Sequence, residues 1–181
     1  STHRHTLFPY TTLFRSKLFP SSLQNHTKLV ISGSKSETNR LLLLQALYPE
    51  LTLENTSDSD DADVMRQAIE QSKISLQENL VIDVHHAGTA MRFLTAFFAT
   101  QITGEVTLTG SERMQQRPIK ILVDALRQLG AEIHYLKEDG FPPLRIVGKE
   151  ITQRQIRISA EVSSQYISAL LLVAPKLQNG L

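Results

Sequence analysis

One order of segments occurs twice along this chain and begins a third time. From residue 28 onward, stretches with strand-like patterns alternate with stretches whose apolar residues recur at helical spacing. The order is strand, helix, strand, helix and then a hairpin of two short strands. In the first copy, the segments are predicted at residues 28–31, 36–47, 51–54, 61–71 and, for the hairpin, 74–76 with 80–84.

The second copy follows the first directly. Its predicted segments are a helix at 89–100, a strand at 105–108, a helix at 118–129 and a hairpin of 133–136 with 144–147. Matching residues support the repeat, because Ser36 and Arg40 precede Gly88 and Arg92 by a common spacing of 52 residues. A third copy begins with a strand at 155–159 and a helix at 163–174.

This repeat predicts an α/β domain in which each unit buries its apolar face against its neighbours. With 181 residues, of which 41% are apolar, the chain is long enough to form a hydrophobic core. Because the chain stops one helix into its third unit, we expect the domain to be incomplete.

The composition argues against several kinds of protein. Nineteen Lys and Arg residues against eighteen Asp and Glu leave almost no net charge, whereas nucleic-acid-binding proteins usually carry a basic excess. The chain has no cysteine, which excludes disulfides and thiolate sites. No apolar run approaches the roughly 18 residues of a membrane-spanning helix. We therefore expect a cytoplasmic protein with neither nucleic acid nor membrane as a partner.

The first residues differ in composition from the rest. No acidic residue occurs between Ser1 and Val30, while Ser, Thr, His and Arg are frequent. This composition is typical of an organelle transit peptide, but the segment is short and begins with Ser rather than Met. We interpret residues 1–16 as a non-native or disordered leader rather than a plastid transit peptide. The incomplete domain is predicted to comprise residues 17–181.

The turn before the first unit's helix carries basic and hydroxyl side chains. A helix start binds anions through its free N–H groups and the positive end of its dipole. Here Lys35, Ser36 and Arg40 lie at such a start. A capping box, in which Ser34 pairs with Glu37, is the alternative. It explains those two residues but not the two cations, so both interpretations stay open.

The corresponding turns of the second and third units are candidates for the same role. Gly88 allows close approach to the backbone, and Arg92 repeats the arginine of the first unit. In the third unit, Ser163, Ser164 and Gln165 could hold a phosphate without any charge of their own. The alternatives are a glycine turn with a surface arginine and an ordinary serine helix cap.

Arg117 stands immediately before Pro118, where the second helix of the second unit is predicted to begin. The planar guanidinium group of arginine donates two parallel hydrogen bonds to a carboxylate or phosphate. Arg117 is therefore a candidate anion ligand, with an exposed arginine at a helix boundary as the alternative.

Two clusters look like metal sites but do not have the required pattern. The acidic residues within 58–63 lack the glycine that a calcium loop has at its sixth position, so we assign them to the start of the second helix. The neighbouring residues His85 and His86 are predicted at a strand end, where they would point to opposite faces. We expect no metal site at either place.

Together, the motifs resemble those of the 5-enolpyruvylshikimate-3-phosphate synthase family of the shikimate pathway. The resemblance covers the chain from about residue 21 to its end, which is less than half of a complete family member. It rests on Gly-Ser-Lys-Ser-Glu-Thr-Asn-Arg at 33–40, Ala-Gly-Thr-Ala-Met-Arg at 87–92, Arg-Pro-Ile at 117–119 with 126–131, and Val-Ser-Ser-Gln at 162–165.

The resemblance implies a monomer of two inverse-barrel domains, each with three βαβαββ units around a pseudo-threefold axis. This chain would hold the first domain, truncated in its third unit. The reaction implied is transfer of the enolpyruvyl group of phosphoenolpyruvate to the 5-hydroxyl of shikimate 3-phosphate, with release of phosphate. The resemblance implies neither a metal nor an organic cofactor. The catalytic groups stay unknown, because the family carries its carboxylate base in the second domain.

The resemblance also gives the candidate residues their roles. The residues implied to hold shikimate 3-phosphate are Lys35, Ser36, Arg40, Ser163 and Ser164. Those implied to contact phosphoenolpyruvate are Gly88, Arg117 and again Lys35, with Gln165 between the two substrates. Arg92 completes the predicted substrate-binding set.

Three residues depart from the family pattern: Ser32 and Phe93 stand at usual or occasional proline positions, and His86 replaces the usual asparagine. Two other functions stay open. A UDP-N-acetylglucosamine enolpyruvyl transferase would resemble this chain, but it typically has asparagine at the position of Ser36 and a cysteine within the loop at 111–116. The other is a non-catalytic anion-binding module.

Overall fold

The computed structural model describes residues 28–74, 80–159 and 163–181, together with Phe19, Ser22 and His26. The leader predicted at residues 1–16 lies outside the described residues. The chain divides into two units, residues 1–31 and 32–181. In the first unit, the strand predicted at 28–31 is wrong: these residues are irregular, and Leu29, Val30 and Ile31 are 77–99% exposed. A strand requires a hydrogen-bonded neighbour, and they have none in the described part of the chain.

The second unit contains helices and short strands in alternation. The helices are α1 (Lys35–Leu47), α2 (Asp60–Ile74), α3 (Gly88–Gln101), α4 (Glu112–Gln115), α5 (Lys120–Gln128) and α6 (Ser164–Val173), which continues into a 3-10 turn at Ala174–Lys176. The strands are β1 (Leu80–Asp83), β2 (Gly104–Thr109), β3 (Glu132–Tyr135) and β4 (Leu144–Gly148).

The four strands form one sheet in the order β1-β2-β4-β3. β1 and β2 are parallel, with Ile82 opposite Leu108, and α3 is the crossover between them. β4 is antiparallel to both of its neighbours. The pairing of β3 with β4 confirms the predicted second hairpin. Of the first predicted hairpin, residue 74 belongs instead to α2 and the second strand is present as β1, which pairs with β2, while residues 75–79 lie outside the described residues.

Helix α3 occupies the centre of this unit. It contacts α1, α2, α5 and α6, and 11 of its 14 residues are buried. A helix that is apolar on all sides requires such a central position. Helices α1, α3 and α6 also contact one another in pairs. This mutual packing is the arrangement that three repeated units around a common axis would produce.

The predicted strands at 51–54 and 155–159 are also wrong, because both segments are irregular. Their backbone groups bind elsewhere. Leu51 donates its N–H to Tyr48 at 3.0 Å, and the N–H of Arg157 donates to the side chain of Gln128 at 3.2 Å. The helices agree better with the sequence, although α5 begins at Lys120, after rather than at the proline of the predicted start.

Candidate functional site

Three helix starts carry the candidate residues, and two of them are capped by serine. The Oγ of Ser34 accepts the N–H of Glu37 at 3.4 Å, and the Oγ of Ser163 accepts the N–H of Gln165 at 3.3 Å. The start of α3, at Gly88, has no side-chain cap. The capping interpretation is therefore confirmed for the hydroxyls of Ser34 and Ser163, and it does not explain the cations of the site.

Side-chain contacts bring the three starts together. The Nε2 of Gln165 donates to the Oγ1 of Thr89 at 3.2 Å, which joins the first turn of α6 to that of α3. The guanidinium of Arg40 lies 5.8 Å from the ring centroid of Phe93, which joins the second turns of α1 and α3. The predicted turns therefore lie close together, as expected for a pseudo-symmetric repeat.

The arginines of the repeat make the same local contact. Arg40 donates from Nη1 to the carbonyl of Ser36 at 2.8 Å, and Arg92 donates from Nη1 to the carbonyl of Gly88 at 2.7 Å. Each also faces an aromatic ring of the next unit's helix, and for Arg92 this is Tyr166 at 5.3 Å. The spacing of 52 residues thus corresponds to a repeated structure.

The two arginines differ in burial. Arg92 is 8% exposed, and its buried Nε has no hydrogen-bond partner among the described residues. Nor does it form an ion pair with any described carboxylate. A buried, uncompensated cation is unfavourable unless an anion binds nearby. The environment of Arg92 therefore favours an anion at this helix start.

Gly88 lies where two guanidinium groups meet. A Cβ at this position would collide with the end of the Arg117 side chain and would come within 3.0 Å of Nη1 of Arg92. The space that glycine leaves is therefore filled by cations. Two positive groups beside the uncapped N–H groups of a helix start make a strong anion-binding field.

Arg117 also lines a cavity of about 370 Å³ together with His86, Arg113 and Met114. The Nδ1 of His86 is 2.8 Å from the Oγ of Ser111, which holds the imidazole against the start of α4. Arg113 was missed by the sequence analysis. Arg113 lies four residues before Arg117, which is a helical spacing in the sequence. In the structure α4 ends between the two residues, so that spacing does not explain why both line the cavity.

Lys35 has a partner that the sequence analysis assigned otherwise. Its Nζ lies 3.5 Å from Oδ2 of Asp61, in the first turn of α2. Asp61 was predicted only to stabilise the start of that helix, which it also does. Because the carboxylate is 26% exposed and the ammonium 54% exposed, this ion pair orients Lys35 without burying it.

Two larger grooves contain no predicted site residue. One, of about 680 Å³, lies between α1 and α2, and the other, of about 650 Å³, lies between residues 154–158 and α6. In the described part of the chain, no cluster of three or more His, Asp or Glu side chains could hold a metal ion. No described helix combines the length and apolarity needed to cross a membrane.

A family model for EPSP synthase (3-phosphoshikimate 1-carboxyvinyltransferase) matches residues 50–181. The chain belongs to the EPSP synthase family. The family match confirms the resemblance drawn from the motifs.

Curated relatives carry the same name. The 3-phosphoshikimate 1-carboxyvinyltransferase of Bacteroides fragilis (strain YCH46) is 50% identical over 165 residues, which are 91% of this chain and 38% of that protein. That of Shewanella amazonensis (strain ATCC BAA-1098 / SB2B) is 45% identical over 166 residues, covering 80% of this chain and 39% of the relative. The chain thus spans about two fifths of the length of the curated relatives that it matches.

A solved EPSP synthase from Acinetobacter baumannii has the same fold. It superimposes with a TM-score of 0.67 at 20% sequence identity, over 82% of this chain and 38% of that one. The predicted α/β fold class is therefore confirmed. The individual roles of the candidate residues rest on the geometry above and stay predictions.

Proposed function

We propose that this chain supplies part of the site at which an EPSP synthase binds shikimate 3-phosphate and phosphoenolpyruvate. The enzyme transfers the enolpyruvyl group to the 5-hydroxyl and releases phosphate. The observation that carries the proposal is the pair of guanidinium groups at Gly88, where Arg92 is buried and both arginines lack a described carboxylate partner. Both substrates carry a phosphate and a carboxylate, which are the groups that such a field binds.

In this proposal the three helix starts bind different groups of the two substrates. Lys35, Ser36 and Arg40 on α1 hold shikimate 3-phosphate, and the serines at the start of α6 bind its phosphate. Arg117, with the backbone at Gly88, holds phosphoenolpyruvate. Arg92 contributes positive potential beneath the site rather than a surface contact. These groups stabilise the charge of two anionic substrates held side by side.

The chemistry itself consists of an addition and an elimination. The 5-hydroxyl oxygen adds to C2 of phosphoenolpyruvate while C3 gains a proton and the hydroxyl loses one. Phosphate then leaves C2 and a proton leaves C3, which regenerates the double bond. These steps need a proton donor and a proton acceptor but no metal or organic cofactor. We place those groups in the part of the family's length that this chain does not span.

We further infer that the complete enzyme acts in the cytoplasm as a monomer, without nucleic-acid or membrane partners. The nearly neutral composition, with 19 basic and 18 acidic residues, supports the absence of a nucleic-acid partner. Sedimentation of the active enzyme at several concentrations would test the oligomeric state, and a concentration-dependent dimer would contradict it.

The decisive experiment uses a hybrid synthase, in which residues 17–181 of this chain replace the matched segment of the Bacteroides fragilis relative. We expect phosphate release that requires both substrates. Arg92→Ala should reduce kcat/KM strongly, and Arg157→Ala, which removes an exposed cation outside the site, should leave it unchanged. A folded but inactive hybrid would contradict the proposed function. If the 181-residue chain then bound phosphate and shikimate 3-phosphate equally in calorimetry, a non-catalytic anion-binding module would be the better account.

A further inference from the structure

Tyr166 lies in the first turn of α6, two residues after Ser164, and is only 6% exposed. Its hydroxyl donates a hydrogen bond to the carbonyl of Pro118 at 2.7 Å. Its ring faces the guanidinium of Arg92 at 5.3 Å. A single side chain of the third unit therefore touches both the arginine buried beneath the site and the segment that carries Arg117.

The segment around Arg117 is held at three backbone positions. The N–H of Arg117 donates to Met114 at 3.0 Å, and the N–H of Ile119 donates to Gly140 at 2.9 Å. Pro118, between them, has no N–H, so its carbonyl is the group that can anchor the middle of the segment. The first two anchors lie within the second unit, and only the anchor at Pro118 comes from α6.

We propose that Tyr166 is a positioning residue that couples the two substrate sites, an inference that rests on the proposed function. Ser163 and Ser164, just before it, are proposed to bind the phosphate of shikimate 3-phosphate. An anion there fixes the first turn of α6 and with it the tyrosine hydroxyl. That hydroxyl in turn fixes the peptide after Arg117, so the guanidinium is held ready for phosphoenolpyruvate.

A second contact runs parallel to the first. Gln165, next to Tyr166, donates to Thr89 at 3.2 Å, which ties the start of α6 to the start of α3 beside Gly88. The two links leave adjacent residues of one helix turn, and they reach Thr89 beside Gly88 and the carbonyl that follows Arg117. Ordering that turn therefore acts on both positions at once, and by linkage each substrate should raise the affinity for the other by the same factor.

The effect of the Tyr166 hydroxyl can be separated from that of its ring by mutation. Tyr166→Phe keeps the packing of the ring and its contact with Arg92, and it removes only the hydrogen bond to Pro118. A purely structural tyrosine would lower thermal stability and weaken the binding of each substrate alone. A positioning role predicts that the binding of each substrate alone is unchanged and that the mutual enhancement decreases.

The test measures KM for each substrate, with the other saturating, in the hybrid synthase and its Tyr166→Phe variant. Calorimetry adds the dissociation constant of each substrate alone, and the ratio of that constant to the KM measures the mutual enhancement. Loss of one neutral hydrogen bond should raise the KM for phosphoenolpyruvate about fivefold. By linkage, the KM for shikimate 3-phosphate at saturating phosphoenolpyruvate should rise by the same factor. Tyr48→Phe, at the end of α1, is the matched control and should change neither.

Thr89→Val removes the parallel link and should also reduce the mutual enhancement. Weaker binding of each substrate alone with an undiminished mutual enhancement, or no change in a folded Tyr166→Phe variant, would overturn the proposal. Loss of folding in that variant would assign the hydroxyl to stability and overturn it as well. If the parent hybrid binds neither substrate, the proposed function fails. If it binds both without enhancement, only the coupling fails.

Discussion

Arg40 and Arg92 occupy equivalent positions in the repeat, but their surroundings differ. Both fold back onto the carbonyl four residues earlier, yet Arg40 is partly exposed and Arg92 is buried. The spacing of 52 residues predicts the shared contact, because the contact lies within one helix turn. Burial depends on the neighbouring units, so the sequence alone could not tell which of the two arginines is buried and which is partly exposed.

The first prediction separates the arginines by substrate. In the hybrid synthase, Arg117→Ala should raise the KM for phosphoenolpyruvate more than that for shikimate 3-phosphate, and Arg40→Ala should do the reverse. Each loses a charge-assisted interaction of about 2–4 kcal/mol. Steady-state kinetics with each substrate varied in turn would measure both effects. Equal effects of either variant on both substrates would refute the assignment.

A second prediction concerns Gly88. In Gly88→Ala, the added Cβ would occupy the space of the Arg117 guanidinium, which must move because the helix backbone cannot. A displacement of about 1 Å in a substrate-binding group can reduce activity by up to about a hundredfold. We expect an increased KM for phosphoenolpyruvate with unchanged thermal unfolding. The double variant with Arg117→Ala is the control, and strictly additive effects would show that the two positions do not interact.

Some contacts of the candidate site could not be predicted from the sequence. Asp61 lies 26 residues after its partner Lys35, and its position in an acidic helix start gives it a sufficient local role. His86 and Arg113 meet at a cavity only because β1 and the segment after β2 end side by side. Glycine, serine and arginine at helix starts were found because their signal is local. Contacts between side chains that are distant in sequence depend on the tertiary fold and leave no local sequence pattern.

The helices and strands of this chain differ in how well the sequence predicts them. The observed bounds of α1, α3 and α6 lie within one residue of those expected, since helical periodicity and caps are local. Three predicted strands, at 28–31, 51–54 and 155–159, are absent from the described structure although their residues favour strands. A strand forms only where it can hydrogen-bond to a neighbouring strand of a sheet, and the β propensity of its own residues does not provide that neighbour.

A third prediction concerns the packing of β3 against α5. Tyr135 has a buried hydroxyl without a partner among the described residues, and the guanidinium of Arg127 lies 5.0 Å from its ring. Because an unpaired buried hydroxyl is unfavourable, Tyr135→Phe should be neutral or stabilising by up to about 1 kcal/mol at pH 7. Denaturant unfolding of the 181-residue chain would measure it. Destabilisation by more than about 1 kcal/mol would reveal a hydrogen bond to that hydroxyl.

The same tyrosine predicts a pH dependence. Burial raises the pKa of Tyr135 to about 12, above the value of about 10 for an unfolded tyrosine. Between these values the unfolded state loses a proton that the folded state keeps. The stability contributed by this group is therefore full below pH 10 and is lost as the pH rises towards 12. Relative to Tyr135→Phe, the parent should lose stability over this range. Tyr48→Phe is the control, and parallel curves for the parent and Tyr135→Phe would contradict the burial of the hydroxyl.

At the scale of the whole molecule, the repeat was the most informative feature of the sequence. It predicts an α/β domain, which the superposition on an EPSP synthase confirms with a TM-score of 0.67. The mutual contacts of α1, α3 and α6 explain why the site lies at their starts, since the packing of the three helices brings equivalent turns together. A field assembled from several units can bind polyanionic substrates although the net charge of the chain is only +1.

The last prediction is that the 181-residue chain binds shikimate 3-phosphate weakly but does not turn over. The cavity beside Arg117 is lined by two arginines, a methionine and His86, with no carboxylate among its lining residues. Addition and elimination require a proton to be given and another to be removed, so a lone imidazole is insufficient. A site open to water also weakens every electrostatic contact within it.

Phosphate release from both substrates would be assayed with the purified chain alone and again after adding the remaining part of the Bacteroides fragilis relative. Activity should appear only on mixing, and calorimetric binding of shikimate 3-phosphate should weaken when Ser163 and Ser164 are both changed to Ala. Turnover by the chain alone would show that this chain includes the catalytic groups.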